Sequence, residues 1–78
     1  MIEKVPFGFC GYDNEIVTEL DIVKNRFSLD NPWQVMEIYK CGSSYYYHVG
    51  RGTKDVWFCN NDVEYVCRWF EHEPLLAN

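Results

Sequence analysis

The side chains of this 78-residue chain with the most chemistry in them are four cysteines and two histidines, and Cys41, His48, Cys59, Cys67 and His72 are the ligand types zinc prefers. Their spacing does not suit a metal. No Cys-x2-Cys knuckle is present, and Cys59-x7-Cys67-x4-His72 runs from an expected strand into an expected helix on which Cys67 belongs to the apolar stripe. The cysteines read instead as reduced, buried thiols packing as small hydrophobes, and their positions favour no disulfide pairing. Cys41, His48 and Asp55 can be drawn as thiol nucleophile, base and orienting acid. Such residues fall near one another in many small sheets, however, and no other catalytic fingerprint accompanies them. The expectation is a protein without enzymatic activity, metal or cofactor. Gly50-Arg51-Gly52, followed by Thr53-Lys54, could cradle a phosphate but matches no phosphate-loop motif, so the glycines read as turn residues needing positive φ. His72, beside acids at the expected helix end, reads as a solvated cap.

Two clusters point to binding. Tyr45, Tyr46, Tyr47, His48, Arg51, Lys54 and Trp57 combine stacking rings with cations, the pattern of a single-stranded nucleic-acid site. Against it stands a net charge of −5, which repels a polyanion. The acids form the second cluster: Asp13, Glu15, Glu19 and Asp21 in one segment, and Asp62, Glu64, Glu71 and Glu73 in another, with no acid between Glu37 and Asp55. Carboxylates spaced along a small body can occupy a basic groove intended for nucleic acid, with aromatic rings as desolvated anchors.

Those residues must be carried by one small domain, residues 1–78. Hydrophobic residues make up 47% and charged residues 24%, a globular composition that excludes a disordered tail, a collagen or a coiled coil. A domain of this size buries only about 60% of its unfolded surface. Five Phe, six Tyr and three Trp, each able to hide roughly 150–250 Å², are more rings than such an interior holds, which leaves some for an interface. The N-terminal residues lack a signal-peptide pattern and no run approaches a membrane span, so a cytoplasmic protein is expected.

The elements read as an α+β fold. Residues 1–15, broken by Pro6, Gly8 and Gly11, form an irregular arm or edge strand. Residues 16–29 are ambiguous: Thr18 and Asp21 approximate a capping box before Leu20, Val23 and Phe27 at helical spacing, yet Ile16, Thr18, Leu20 and Ile22 alternate like a strand. A short helix over 19–27 is the preferred reading. From 33 to 59 a meander is expected: strands Trp33 to Lys40 and Tyr45 to Val49 around the connection Cys41-Gly42-Ser43-Ser44, then Val56 to Cys59. Asn61 with Glu64 at N3 caps a helix over 62–72, with Val63, Val66, Cys67 and Phe70 as its apolar stripe, Glu64 and Arg68 as an i,i+4 pair, and Pro74 ending it. The expected fold is a three- to four-stranded antiparallel sheet with this C-terminal helix on one face.

Phasing the strands by two places Trp33, Val35 and Tyr39 on one face of the first and Met36 and Ile38 on the other, splits Tyr45, Tyr47 and Val49 from Tyr46 and His48 in the second, and splits Val56 and Phe58 from Trp57 and Cys59 in the third. Both faces are apolar, and one helix covers only one of them. The other is core, a docking surface or a homodimer interface.

This profile, a very short acidic, aromatic-rich domain whose Trp33 to Val49 hairpin and Val56 to Cys59 strand lead into the capped helix Asn61-Asp62-Val63-Glu64, resembles small phage-encoded antagonists of host machinery, anti-CRISPR proteins among them. The resemblance spans roughly residues 33 to 73, rests on size and layout, and transfers no residue roles. It implies a stoichiometric inhibitor. The expected function is occlusion of a basic, nucleic-acid-binding surface of a host protein or ribonucleoprotein complex. The acids Asp13, Glu15, Glu19, Asp21, Glu64, Glu71 and Glu73 would steer, and Tyr46, Trp57 and Trp69 would anchor. The alternatives are a single-stranded nucleic-acid module using Tyr45, Tyr47, His48, Arg51 and Lys54, and a structural homodimer.

Overall fold

Alternating β-branched and aromatic residues set most of the chain into strands. The computed structural model describes residues 1–27 and 31–71. It contains β1 (Ile2–Lys4), β2 (Phe7–Phe9), β3 (Ile16–Thr18), β4 (Ile22–Asn25), β5 (Trp33–Cys41), β6 (Ser44–Arg51), β7 (Lys54–Cys59) and β8 (Val63–Cys67), followed by a single 3-10 turn at Trp69–Glu71. Six strands form one antiparallel sheet in the order β7-β6-β5-β4-β8, with β1 beside the far end of β5, while β2 and β3 form a separate pair.

The expected α+β fold is therefore corrected to one built almost wholly of strands. No helix covers residues 62–71; the segment is β8, whose Val63, Glu64 and Tyr65 pair with Asn25, Lys24 and Val23. Its capping signal is spent on a turn: the Asp62 N–H donates to the Cys59 carbonyl at 2.9 Å, and Arg26 donates its N–H to the Asp62 carbonyl and its Nε to the Asn61 carbonyl. Val66 and Phe70 of the supposed apolar stripe are exposed. Arg68 pairs with Asp21 and Glu64 with Lys24, each across the fold instead of along a helix. Position 72 and Pro74 lie outside the described residues.

The helix over 19–27 is corrected as well. Thr18 and Asp21 do bond, but across a turn. Asp21 Oδ2 accepts from the Thr18 N–H at 2.9 Å and its hydroxyl at 3.0 Å, and the Asp21 N–H returns to the Thr18 carbonyl. Leu20 sits in this turn at φ 76°, a left-handed conformation that costs a bulky residue about 1–2 kcal/mol. Its backbone is pinned there by Leu20 N–H to Val35 carbonyl (2.7 Å) and by Gln34 Nε2 to the Leu20 carbonyl (3.1 Å). Leu20→Gly should therefore raise stability by roughly 0.5–1 kcal/mol despite glycine's entropy, read as a higher urea midpoint.

The sheet is rolled. Lying flat, four strand spacings would separate β7 from β8 by about 19 Å, yet the three residues joining them reach only about 14 Å. Inside the roll sit Val23, Trp33, Val35, Ile38, Tyr47, Val49 and Val63, with Phe58, Tyr45 and Tyr65 packed against them. The β2–β3 pair covers this concave side, adding Cys10 and Val17 to the core. It approaches so closely that a Cβ on Gly8 would lie 2.7 Å from the Tyr47 hydroxyl, which itself donates to the Phe9 carbonyl at 2.6 Å.

Register, not composition, decides which rings go inside. Pairing steps from Val35↔Val49 to Glu37↔His48, leaving Met36 as the extra residue of a β-bulge. The bulge inverts the phase of β5. Ile38 thus joins Trp33 and Val35 in the core opposite Tyr47, and Tyr39 turns outward opposite Tyr46, the reverse of strict alternation.

Burial of Cys10, reinforced by Asp13 and Glu15, pushes its thiol from the ordinary 9.0 up to about 12. Because the folded value lies above the unfolded one, the neutral thiol's contribution to stability is complete below pH 9 and is lost as pH rises towards 12. Urea midpoints should accordingly fall across that window, and the fall should be shallower in Cys10→Ala.

Candidate functional site

The convex face of the rolled sheet carries no second layer among the described residues, and here the hairpin registers assemble a cluster. One row across the strands is Glu37, His48 and Trp57; the next is Tyr39, Tyr46 and Cys59. Two-residue turns at Gly42-Ser43 and Gly52-Thr53, with φ of 64° and 63° at the glycines, hold the three strands in this register. β1 extends the face by pairing Ile2 with Cys41 and Lys4 with Tyr39.

His48 stacks on Trp57 at 4.8 Å and 14°, and Tyr39 leans on the same indole at 5.6 Å. Two carboxylates border these rings. Asp55 Oδ2 lies 2.7 Å from His48 Nε2, and Glu37 Oε1 accepts the Tyr39 hydroxyl at 2.8 Å. That bond, with partial burial, holds the Tyr39 phenol above its usual range. Ile2, Tyr39, Cys41, Tyr46 and Trp57 enclose a shallow groove of about 540 Å³. Trp57 is 55% exposed and Tyr46 37%. Flat apolar walls beside carboxylate acceptors suit a planar cation such as a guanidinium, which stacks and hydrogen-bonds at once.

The structure brings together two of the residues expected to meet a partner, Tyr46 and Trp57. Trp69 stands apart in the 3-10 turn, edge-on to Phe70. Asp21 is a structural acid: it is buried and bonded to Thr18 and, at 2.6 Å, to Arg68. Asp13 is likewise committed, its Oδ1 to the Glu15 N–H and its Oδ2 to the Tyr65 N–H. Glu64 pairs with Lys24 at 3.6 Å, and Glu71 takes the Arg68 N–H. Glu15 and Glu19 are exposed, and position 73 lies outside the described residues.

The residues of the expected nucleic-acid site are scattered. Tyr47 is fully buried and Tyr45 faces the core against Phe9, while His48 is on the convex side. Arg51 lies 3.9 Å over Trp33 and donates to the Asn31 carbonyl, and Lys54 is exposed at the hairpin end. Arg26 and Arg68 also lie over rings, those of Tyr12 and Phe27 and of Tyr65, so all three arginines are engaged inside the fold.

Cys41 does not join His48 and Asp55. It stands four residues along β5 from the partner of His48, about 13 Å away. Among the described residues no three potential ligands gather around a metal position, and no helix is long and apolar enough to cross a membrane.

Ile2, Glu37 and Tyr39 are site residues that sequence reasoning missed, while Asp55 was set beside His48 but not as part of a binding face. Counting back from the Gly52-Thr53 turn pairs His48 with Trp57 and would have found the β6–β7 half. Nothing local marks the Met36 bulge that turns Tyr39 outward. No family model, no curated protein and no solved structure matches this chain.

Proposed function

We propose that this chain is a non-enzymatic binding protein, a stoichiometric inhibitor that occludes a basic, nucleic-acid-binding surface of a host protein or ribonucleoprotein complex. The observation that carries this reading is the convex face, where Tyr39, Tyr46, His48 and Trp57 stand together beside Glu37 and Asp55. Exposed aromatic rings around a groove are the usual anchors of a protein interface, and carboxylates among them select cations in the partner. The net charge of −5 adds long-range attraction to such a surface. The separation of Tyr45, Tyr47 and Arg51 from His48 favours this reading over direct binding of a single strand. Cys10, Cys41 and Cys59 are free thiols, which suits action in the reducing cytoplasm.

Trp57→Ala should weaken the inhibitor's hold on its target by about 30-fold or more, the effect of losing a central aromatic anchor, while leaving the thermal midpoint within a few degrees. The assay is recovery of the target's nucleic-acid binding in a mobility-shift titration at one inhibitor per target. The association rate should fall with added salt, and the alanine variant should act mainly on dissociation. A target inhibited equally by wild type and Trp57→Ala would refute the assignment of this face.

A further inference from the structure

The two edges of the sheet are treated differently. At β8 the Tyr65 N–H is taken by Asp13 Oδ2, and the neighbouring loop bonds Gly11 N–H to the Asn60 carbonyl. At β7, the end strand of the sheet, no further described strand pairs with the outer edge. Its free groups follow from the hairpin. Arg51 and Lys54 close the two-residue turn as a hydrogen-bonded pair, and such pairs recur every second residue. Val56 and Phe58 therefore spend their backbone groups on Val49 and Tyr47, a series that continues in the Asn60 N–H to Tyr45 carbonyl bond at 2.9 Å. Asp55 and Trp57 consequently aim N–H and C=O outward, as does Cys59, whose carbonyl already accepts the Asp62 N–H at 2.9 Å and keeps one lone pair for a second donor. β7 has no proline, no bulge and no inward lysine at its centre, and its two charged residues, Lys54 and Asp55, lie at its start.

We infer that β7 pairs antiparallel with β7 of a second copy of this chain, about a two-fold axis at Trp57. This register is self-complementary. It sets Trp57 opposite Trp57 and Asp55 opposite Cys59 on the convex side, and Val56 opposite Phe58 on the core side, where Val56 is 37% exposed and Phe58 half-buried at the end of the roll. Lys54 falls opposite Asn60, so no like charges meet. Pairing joins two convex faces into one, with both grooves still open on their β1 sides. The association shares Trp57 and Asp55 with the convex cluster but is formed by the backbone edge of β7, so its failure and that of the inhibitor reading are separated by measuring mass without any target present.

Light scattering across a concentration series reads it directly. The mass should rise towards twice the 9.3 kDa of one chain, and Val56→Lys, which drives a charge into the paired edge, should weaken association at least tenfold. D55C tests the register without relying on that variant's folding. Residue 55 of one copy faces the native Cys59 of the other at about 5.5 Å between Cα atoms, within disulfide reach, whereas within one chain the two lie about 13 Å apart. Mild oxidation should yield a covalent dimer that D55C/C59S does not form. A mass that stays at 9.3 kDa up to about 1 mM, where even a contact of about 4 kcal/mol would register, overturns the proposal, as does failure of D55C to cross-link.

Discussion

Tyr47→Ala should cost about 4 kcal/mol of stability, within the range for removing a large buried ring. Natural stabilities of about 0.05–0.15 kcal/mol per residue give a chain of this length roughly 4–12 kcal/mol in all, so the variant should lose a third or more of its total and should be largely unfolded if the protein is near the low end. The magnitude follows from position. Among the described residues Tyr47 is the largest fully buried side chain; it faces Ile38 across β5 and Phe58 across β7, and donates its hydroxyl to the Phe9 carbonyl at 2.6 Å. It therefore stitches the β2–β3 pair to the rolled sheet. Burial, with nearby Cys10, also raises its phenol well above the ordinary range, so the hydroxyl remains a donor throughout the stable pH range. Tyr47→Phe separates the two contributions. It keeps the ring and loses the bond to Phe9, and it should cost about 1–2 kcal/mol. Urea denaturation followed by tryptophan fluorescence measures both. Equal losses for the two variants would show that the hydroxyl carries the whole effect.

The second large effect is expected at Asp21. Asp21→Ala should cost about 3 kcal/mol, which for a domain of this size lowers the thermal midpoint by roughly 12–24 °C. The carboxylate is buried and accepts from the Thr18 N–H, the Thr18 hydroxyl and Arg68, and its removal orphans donors in a turn that already holds Leu20 at positive φ. Arg68→Ala should cost less, because the arginine side chain is 39% exposed and its ion pair is partly screened by water. Calorimetry on the two variants checks the order. An Arg68→Ala loss as large as that of Asp21→Ala would mean that the ion pair, and not the turn, carries the stability.

Much of the secondary structure was legible because the signal for a strand is local. In β5, β6 and β7 the runs of Val, Ile, Tyr and Trp, with glycine turns between them, read directly as a meander. The same signal was present in Val63, Tyr65 and Cys67, but Asn61 and Glu64 outweighed it, because a residue suited to a helix cap is equally suited to a turn. Thr18 and Asp21 misled in the same way: the side-chain bond they promised exists, in a different backbone. Choosing between helix and strand at β4 and β8 required knowing that each would find the other, with Val23 opposite Tyr65, 42 residues further along the chain.

For the candidate site the division is sharper. Trp57 and Tyr46 could be read as exposed rings from the alternation of β6 and β7, and the excess of aromatic residues over interior space already required some to remain outside. Asp21 could not be recognised as structural, nor Asp13 as the acceptor for Tyr65, because a solvated carboxylate and one that holds a turn are identical in sequence. The residues alone determined an acidic, strand-prone, ring-rich chain, since composition and two-residue periodicity are properties of neighbours along the backbone. Tertiary structure decided which rings face water, through the bulge at Met36 and the roll that brings β8 back to β4. Those choices depend on pairing energies between distant segments, and no local pattern encodes them.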